Sequence, residues 1–214
     1  MPKMQELLKE KDVFKIFERF SKLNPSPKGE LNFTSPYTLL VAVVCSAQST
    51  DKGVNLATKK LFKLANTPEK MIVLGKEKIM KQIKTIGLYR NKAKNIINLS
   101  EIILKKYNGV VPRNFEQLND LPGVGRKTAN VVLNIAFKVP TIAVDTHVFR
   151  VSNRTGIAIG KNVDEVELIL NKRVPKKFLV RAHHWLILHG RYVCKARMPL
   201  CSNCAISDLC PSKQ

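Results

Sequence analysis

A chain of 214 residues with 37 Lys and Arg against 16 Asp and Glu carries a formal charge of +21, with a pI near 10.0. Apolar residues at 44% and charged residues at 25% are ordinary for a globular protein, so the charge excess stands out and predicts a polyanionic partner, nucleic acid ahead of an acidic membrane surface. The longest apolar run, Leu39 to Cys45, is far short of the roughly 20 residues of a spanning helix, and Met1 to Glu6 has no apolar region behind its charges, so neither a membrane span nor a secretory signal is expected.

Taken in chain order, the elements read as helices. Val13, Ile16, Phe17 and Phe20 recur at spacings of three and four, forming one apolar face that ends before Pro25 and Pro27. Ser35 followed by Pro36 predicts an N-cap with Pro at the first helical position, opening the run from Leu39. Asp51 is the expected cap of a helix carrying Val54, Ala57, Leu61 and Phe62, and Thr67-Pro68-Glu69 repeats the cap-then-Pro signal. Gly87 and Gly109 mark helix ends around a stripe of Ile96, Ile97, Leu99, Ile103 and Leu104. Helices are expected from about Thr128 to Phe137 and from Thr146 to about Thr155, on either side of Pro140. Asn162 caps another that Pro175 ends, and the last spans roughly Lys177 to His189. No stretch alternates with period two long enough to build a sheet, so the fold class is all-α.

Three strings carry chemistry. The first is Leu121-Pro122-Gly123-Val124-Gly125-Arg126-Lys127-Thr128. A Gly-x-Gly turn before a helix aims backbone N–H groups outward with the helix dipole behind them, which makes an anion site. Leu121 and Val124 can anchor the turn while Arg126 and Lys127 add charge, the pattern of a helix-hairpin-helix DNA-binding element; a plain turn in a helical bundle is the alternative. The second string pairs Lys127 with Asp145 in Ile142-Ala143-Val144-Asp145-Thr146-His147. Lysine is a nucleophile only when unprotonated, and partial burial near Arg126 and a helix dipole favours that form. The plainer readings stay open: Lys127 as a solvated phosphate contact, and Asp145 as an N-cap.

The third string is Cys194-x6-Cys201-x2-Cys204-x5-Cys210, which holds four of the five cysteines. In a reducing compartment these are thiolate ligands before disulfides, and the uneven spacing suits one [4Fe–4S] cluster better than a zinc site with two close pairs. Lys195 and Arg197 in its first loop would be presented to a phosphate backbone. Cys45, inside an apolar run, reads as a core thiol. His147, His183, His184 and His189 read as packing or hydrogen-bonding residues, and Trp185 as core.

These strings, in this order and separation, resemble the endonuclease III family of helix-hairpin-helix DNA glycosylases and AP lyases, from about Glu30 to Cys210. Ser46-Ala47-Gln48, Ile86-Gly87-Leu88 and His183-His184-Trp185 share the likeness. The resemblance implies two helical domains, 29–139 with the hairpin and 1–28 plus 140–214 with a [4Fe–4S] cluster, and a DNA-binding cleft between them. It implies Lys127 as the nucleophile at C1′, Asp145 as the assisting carboxylate, and Cys194, Cys201, Cys204 and Cys210 as cluster ligands. Gln48 and Leu88 would fill and wedge the gap left by an extruded base. Leu121, Gly123, Val124, Gly125 and Arg126, with Lys195 and Arg197, would meet the DNA. The expected activity is removal of damaged pyrimidines from double-stranded DNA with nicking at the abasic site, by a monomer in a bacterial cytoplasm, associated with the nucleoid. A non-catalytic DNA-binding module and a zinc-dependent transcription factor are the competing readings.

Overall fold

The computed structural model describes residues 6–213, and all its regular elements are helical. The reading of Met1 to Gln5 as lacking a signal lies outside those residues. Among the described residues no helix is long and apolar enough to cross a membrane. The chain divides into two compact units, one of residues up to Gly29 with those from Pro140 on, the other Glu30–Val139.

The Glu30–Val139 unit starts with α2 (Pro36–Ser46), following α1 (Glu10–Leu23) of the other unit. Ser35 caps α2 as expected: its Oγ accepts from the Thr38 N–H while the Thr38 hydroxyl oxygen accepts from the Ser35 N–H, with Pro36 at the first position. Residues Leu39 to Cys45 of α2 are all buried, so this helix runs through the middle of the unit rather than along its surface. Next come α3 (Asp51–Leu64), α4 (Pro68–Leu74) and α5 (Lys76–Ile83). The cap of α3 differs from expectation: Thr50 holds the Gly53 N–H through its hydroxyl, and Asp51 is the first helical residue. Thr67 caps α4 as its sequence predicts. Gly87 sits four residues beyond the end of α5 and does not itself stop that helix.

The long α6 (Tyr89–Tyr107) packs on α2, α4 and α5 and ends in left-handed Asn108 and Gly109. Ile96, Leu99 and Ile103 are buried on it, while Ile97 and Leu104 are half-buried. A short α7 (Phe115–Asn119), which the sequence pattern did not reveal, pairs with α8 (Arg126–Phe137).

The other unit combines α1 with α9 (Thr146–Thr155), α10 (Val163–Arg173) and α11 (Leu179–Tyr192), the last preceded by a 3-10 turn over Lys176–Phe178. The expected apolar face of α1 is buried against α9, α10 and α11 residues, with Phe17 stacked on Phe178 and packed against Trp185. The Trp185 indole N–H donates to the Asn24 carbonyl at 2.8 Å, so its one polar atom is satisfied inside the core. α11 continues three residues past the expected His189, and the cysteine segment follows it.

Candidate functional site

In the Glu30–Val139 unit, α7, the turn Leu121–Gly125 and α8 form a helical hairpin. Leu121 and Val124 are buried, anchoring the turn as their sequence pattern predicts. The guanidinium of Arg126 lies 5.5 Å from the Phe115 ring centroid, so a cation of the second helix rests on the first. Gly125 occupies the N-cap of α8 and brings no side-chain oxygen to its first turn. The positive end of the helix dipole therefore faces outward beside Arg126 and Lys127, both exposed. Exposure of Lys127 corrects the expectation of partial burial: the second position of a helix that opens outward keeps the side chain on the surface.

Two further loops of this unit belong together. Gln48 follows α2 with φ 53°, Leu88 caps α6 with φ 56°, and both side chains are exposed, Leu88 at 58%. A Cβ on Gly87 would lie 3.4 Å from the Gln48 carbonyl oxygen, so the loops touch at the backbone. A polar and an apolar side chain are thus presented from adjacent left-handed residues, a conformation that is uncommon for non-glycine residues and marks constrained positions.

In the other unit, Asp145 is half-buried and caps α9, its Oδ1 accepting from the N–H groups of His147 and Val148, both at 2.9 Å. The cap reading of Asp145 therefore holds, and it fixes the carboxylate at the head of a rigid helix. α9 also holds the cysteine segment. Arg150 donates through Nε to the Cys194 carbonyl at 3.0 Å and through Nη2 to the Gly190 carbonyl at 2.7 Å. Arg154 donates to the carbonyls of Lys195 (2.7 Å) and Ala196 (2.9 Å) and lies 3.8 Å from Cys194 Sγ. Lys195 and Arg197 stay exposed on this tethered loop.

Cys194, Cys201, Cys204 and Cys210 border one cavity of about 240 Å³, together with His189, Arg154 and Ile206. Among the described residues no group of three or more His, Cys, Asp or Glu is set to hold a metal ion. Four thiols around a cavity of this size suit a multi-atom cluster better than one ion bonded to sulfur at about 2.3 Å. Burial pushes the thiols of Cys204 and Cys210 above the ordinary cysteine range, and the neighbouring cysteines add to it by like charge. As neutral thiols they carry no such repulsion; as ligands they would give up their protons, and a cationic centre would then offset the thiolate charge, so the donor set fits a thiolate-bound iron–sulfur group. Burial likewise lowers the His189 imidazole to about 4, leaving it neutral, with Nε2 3.7 Å from Cys204 Sγ.

His183 and His184 are buried, with His183 Nδ1 2.9 Å from the Ala143 carbonyl oxygen. Cys45 is fully buried, and its thiol is pushed up to about 12. Sequence reasoning missed Lys92, which is 4% exposed and bonded to the Gln48 loop, and the two anchoring arginines of α9. The signal for Lys92 is its place four residues before Ile96 on the buried stripe of α6.

The sequence matches the HhH-GPD superfamily of base excision DNA repair proteins over residues 41–176. It is 59% identical to endonuclease III of Escherichia coli (strain K12) over 199 residues, 93% of this chain and 94% of that one. It is 49% identical to endonuclease III of Treponema pallidum (strain Nichols), across 95% and 97% of the two chains. Among solved structures it is similar to a trapped endonuclease III–DNA covalent intermediate, an estranged-adenine complex. That match has a TM-score of 0.89, 46% identity and coverage of 97% of this chain and 98% of the other.

Proposed function

The chain belongs to the HhH-GPD superfamily of base excision DNA repair proteins and is a DNA glycosylase with AP lyase activity, and from that premise we propose that Lys127 is its nucleophile, acting on damaged pyrimidines and abasic sites in double-stranded DNA. The observation that carries this reading is the amine on the first turn of α8, exposed beside a cap that has no side chain. Backbone N–H groups of Gly125 and the helix start hold a phosphate, and the neighbouring amine is thereby brought to the sugar.

A glycosidic carbon inside a stacked duplex is out of reach, so the nucleotide is extruded at a cost of a few kcal/mol. Gln48 occupies the hole and Leu88 wedges its rim, offsetting part of that cost. The Lys127 amine then bonds to C1′ as the glycosidic bond breaks and the base leaves with the bonding pair and a proton. The ring opens as O4′ leaves C1′ with the bonding pair and takes up a proton, giving an iminium that acidifies the C2′ proton. Transfer of that proton to water expels the 3′ phosphate with the C3′–O pair by β-elimination and nicks the strand. Asp145, held at the head of α9, accepts a proton and stabilises the developing cation.

The cysteine segment would hold a [4Fe–4S] cluster through Cys194, Cys201, Cys204 and Cys210. Bound there, the group supplies a rigid cross-link that keeps Lys195 and Arg197 presented to phosphates. We take the protein to work as a monomer in a bacterial cytoplasm, on nucleoid DNA. The test is strand nicking of a duplex with a single abasic site. Lys127→Ala is expected to lose nicking by several orders of magnitude while still binding the duplex; nicking by this variant at the wild-type rate would overturn the assignment.

A further inference from the structure

Lys92 is a lysine in a place that lysine seldom occupies. Its side chain is buried on the inner face of α6, and its ammonium donates to the Cys45 carbonyl at 2.8 Å, the Ala47 carbonyl at 2.6 Å and Ser49 Oγ at 3.0 Å. An ammonium has three N–H donors, and here three acceptors take them, which is what allows a charge to be buried at all. Two acceptors, on Ala47 and Ser49, flank Gln48 directly. Meanwhile the backbone N–H of Lys92 donates to the Leu88 carbonyl at 3.0 Å, closing the first turn of the helix that Leu88 opens. One residue therefore holds both left-handed positions, Gln48 through its side chain and Leu88 through its main chain.

We propose that Lys92 is a positioning residue that locks Gln48 and Leu88 into one preformed unit for invading the duplex. The proposal rests on the reading of Gln48 and Leu88 as the residues that occupy the gap. Without the ammonium, the carbonyls of Cys45 and Ala47 must seek water, and the loop carrying Gln48 is released from the helix carrying Leu88. Base extrusion then requires ordering two loops at the moment of binding instead of inserting a rigid pair.

The test compares two substrates. A duplex with thymine glycol opposite adenine needs the stack to be opened, whereas a single-stranded abasic oligonucleotide offers neither an opposing base nor a stack. Lys92→Met is expected to lower single-turnover base excision on the duplex by about tenfold or more, the size of a lost charge-assisted hydrogen bond, and to change β-elimination on the single strand by less than about threefold. Ser49→Ala removes only the side-chain acceptor and is expected to shift the duplex rate in the same direction by a smaller factor, which keeps the test decisive if Lys92→Met folds poorly. In a Gln48→Ala background, Lys92→Met is expected to lose clearly less than in the wild type, because both act on one loop. Equal losses on both substrates, or an undiminished loss in the Gln48→Ala background, would overturn the proposal. If Gln48→Ala alone excised at the wild-type rate from the duplex, the gap-filling reading beneath it would fail first, and that result is visible without touching Lys92.

Discussion

A Cβ added to Gly123 would stand 2.7 Å from Asn95 Nδ2, in a residue whose φ of +79° already disfavours any side chain, whereas one added to Gly125 would meet nothing within 4 Å at an ordinary φ of −94°. The fold of the hairpin turn explains the first glycine and leaves the second to be explained by what approaches from outside. Gly123→Ala is expected to destabilise the protein by about 1–3 kcal/mol. Gly125→Ala should lose at most about 1 kcal/mol as a poorer helix cap, yet weaken duplex binding if the proposed phosphate site is right, because its methyl would enter that space. Thermal unfolding beside a binding titration separates them; equal stability losses would contradict the distinct roles. At this scale the sequence was most legible where a residue type has one use, as with the buried Leu121 and Val124. It was least legible for Lys92, whose type argues for the surface and whose burial is decided by carbonyls more than forty residues earlier.

At the scale of the element, α9 carries Asp145 at its head and the arginine anchors of the cysteine loop along its length. Its cap and its chemistry can be pulled apart. Asn caps helices as well as Asp does, so Asp145→Asn is expected to keep stability within about 0.5 kcal/mol, while Asp145→Ala loses about 1 kcal/mol with the two N–H bonds. Both should excise bases far more slowly than the wild type if the carboxylate assists Lys127; an active Asp145→Asn would leave Asp145 as a cap alone. Helices were legible wherever a cap and a Pro coincide, at Ser35 and Thr67, because capping is a local rule. At Thr50 and Asp51 two competent caps adjoin, and local chemistry does not say which leaves the helix first. The five residues of α7 are too few to show a period, and the left-handed backbone of Gln48 and Leu88 has no signature in side chains that usually avoid it.

Over the whole molecule, a charge of +21 makes DNA affinity steep in salt, since each neutralised phosphate adds about 0.9 to the log–log slope. Lys195→Ala and Arg197→Ala are each expected to flatten that slope by about 0.9 without altering the hairpin, as measured by binding titrations across salt; unchanged slopes would remove the cysteine loop from the interface. Charge predicted a polyanion and left nucleic acid ahead of an acidic membrane surface, the hairpin string pointed to DNA, and the proposed reaction rests on one amine. The most direct measurement is borohydride trapping on a duplex with a single thymine glycol, followed by mapping of the modified peptide. A covalent protein–DNA species bearing its adduct on Lys127, and absent from Lys127→Ala, is the expected result. A trapped species at another residue, or none from folded protein that binds the duplex, would contradict it.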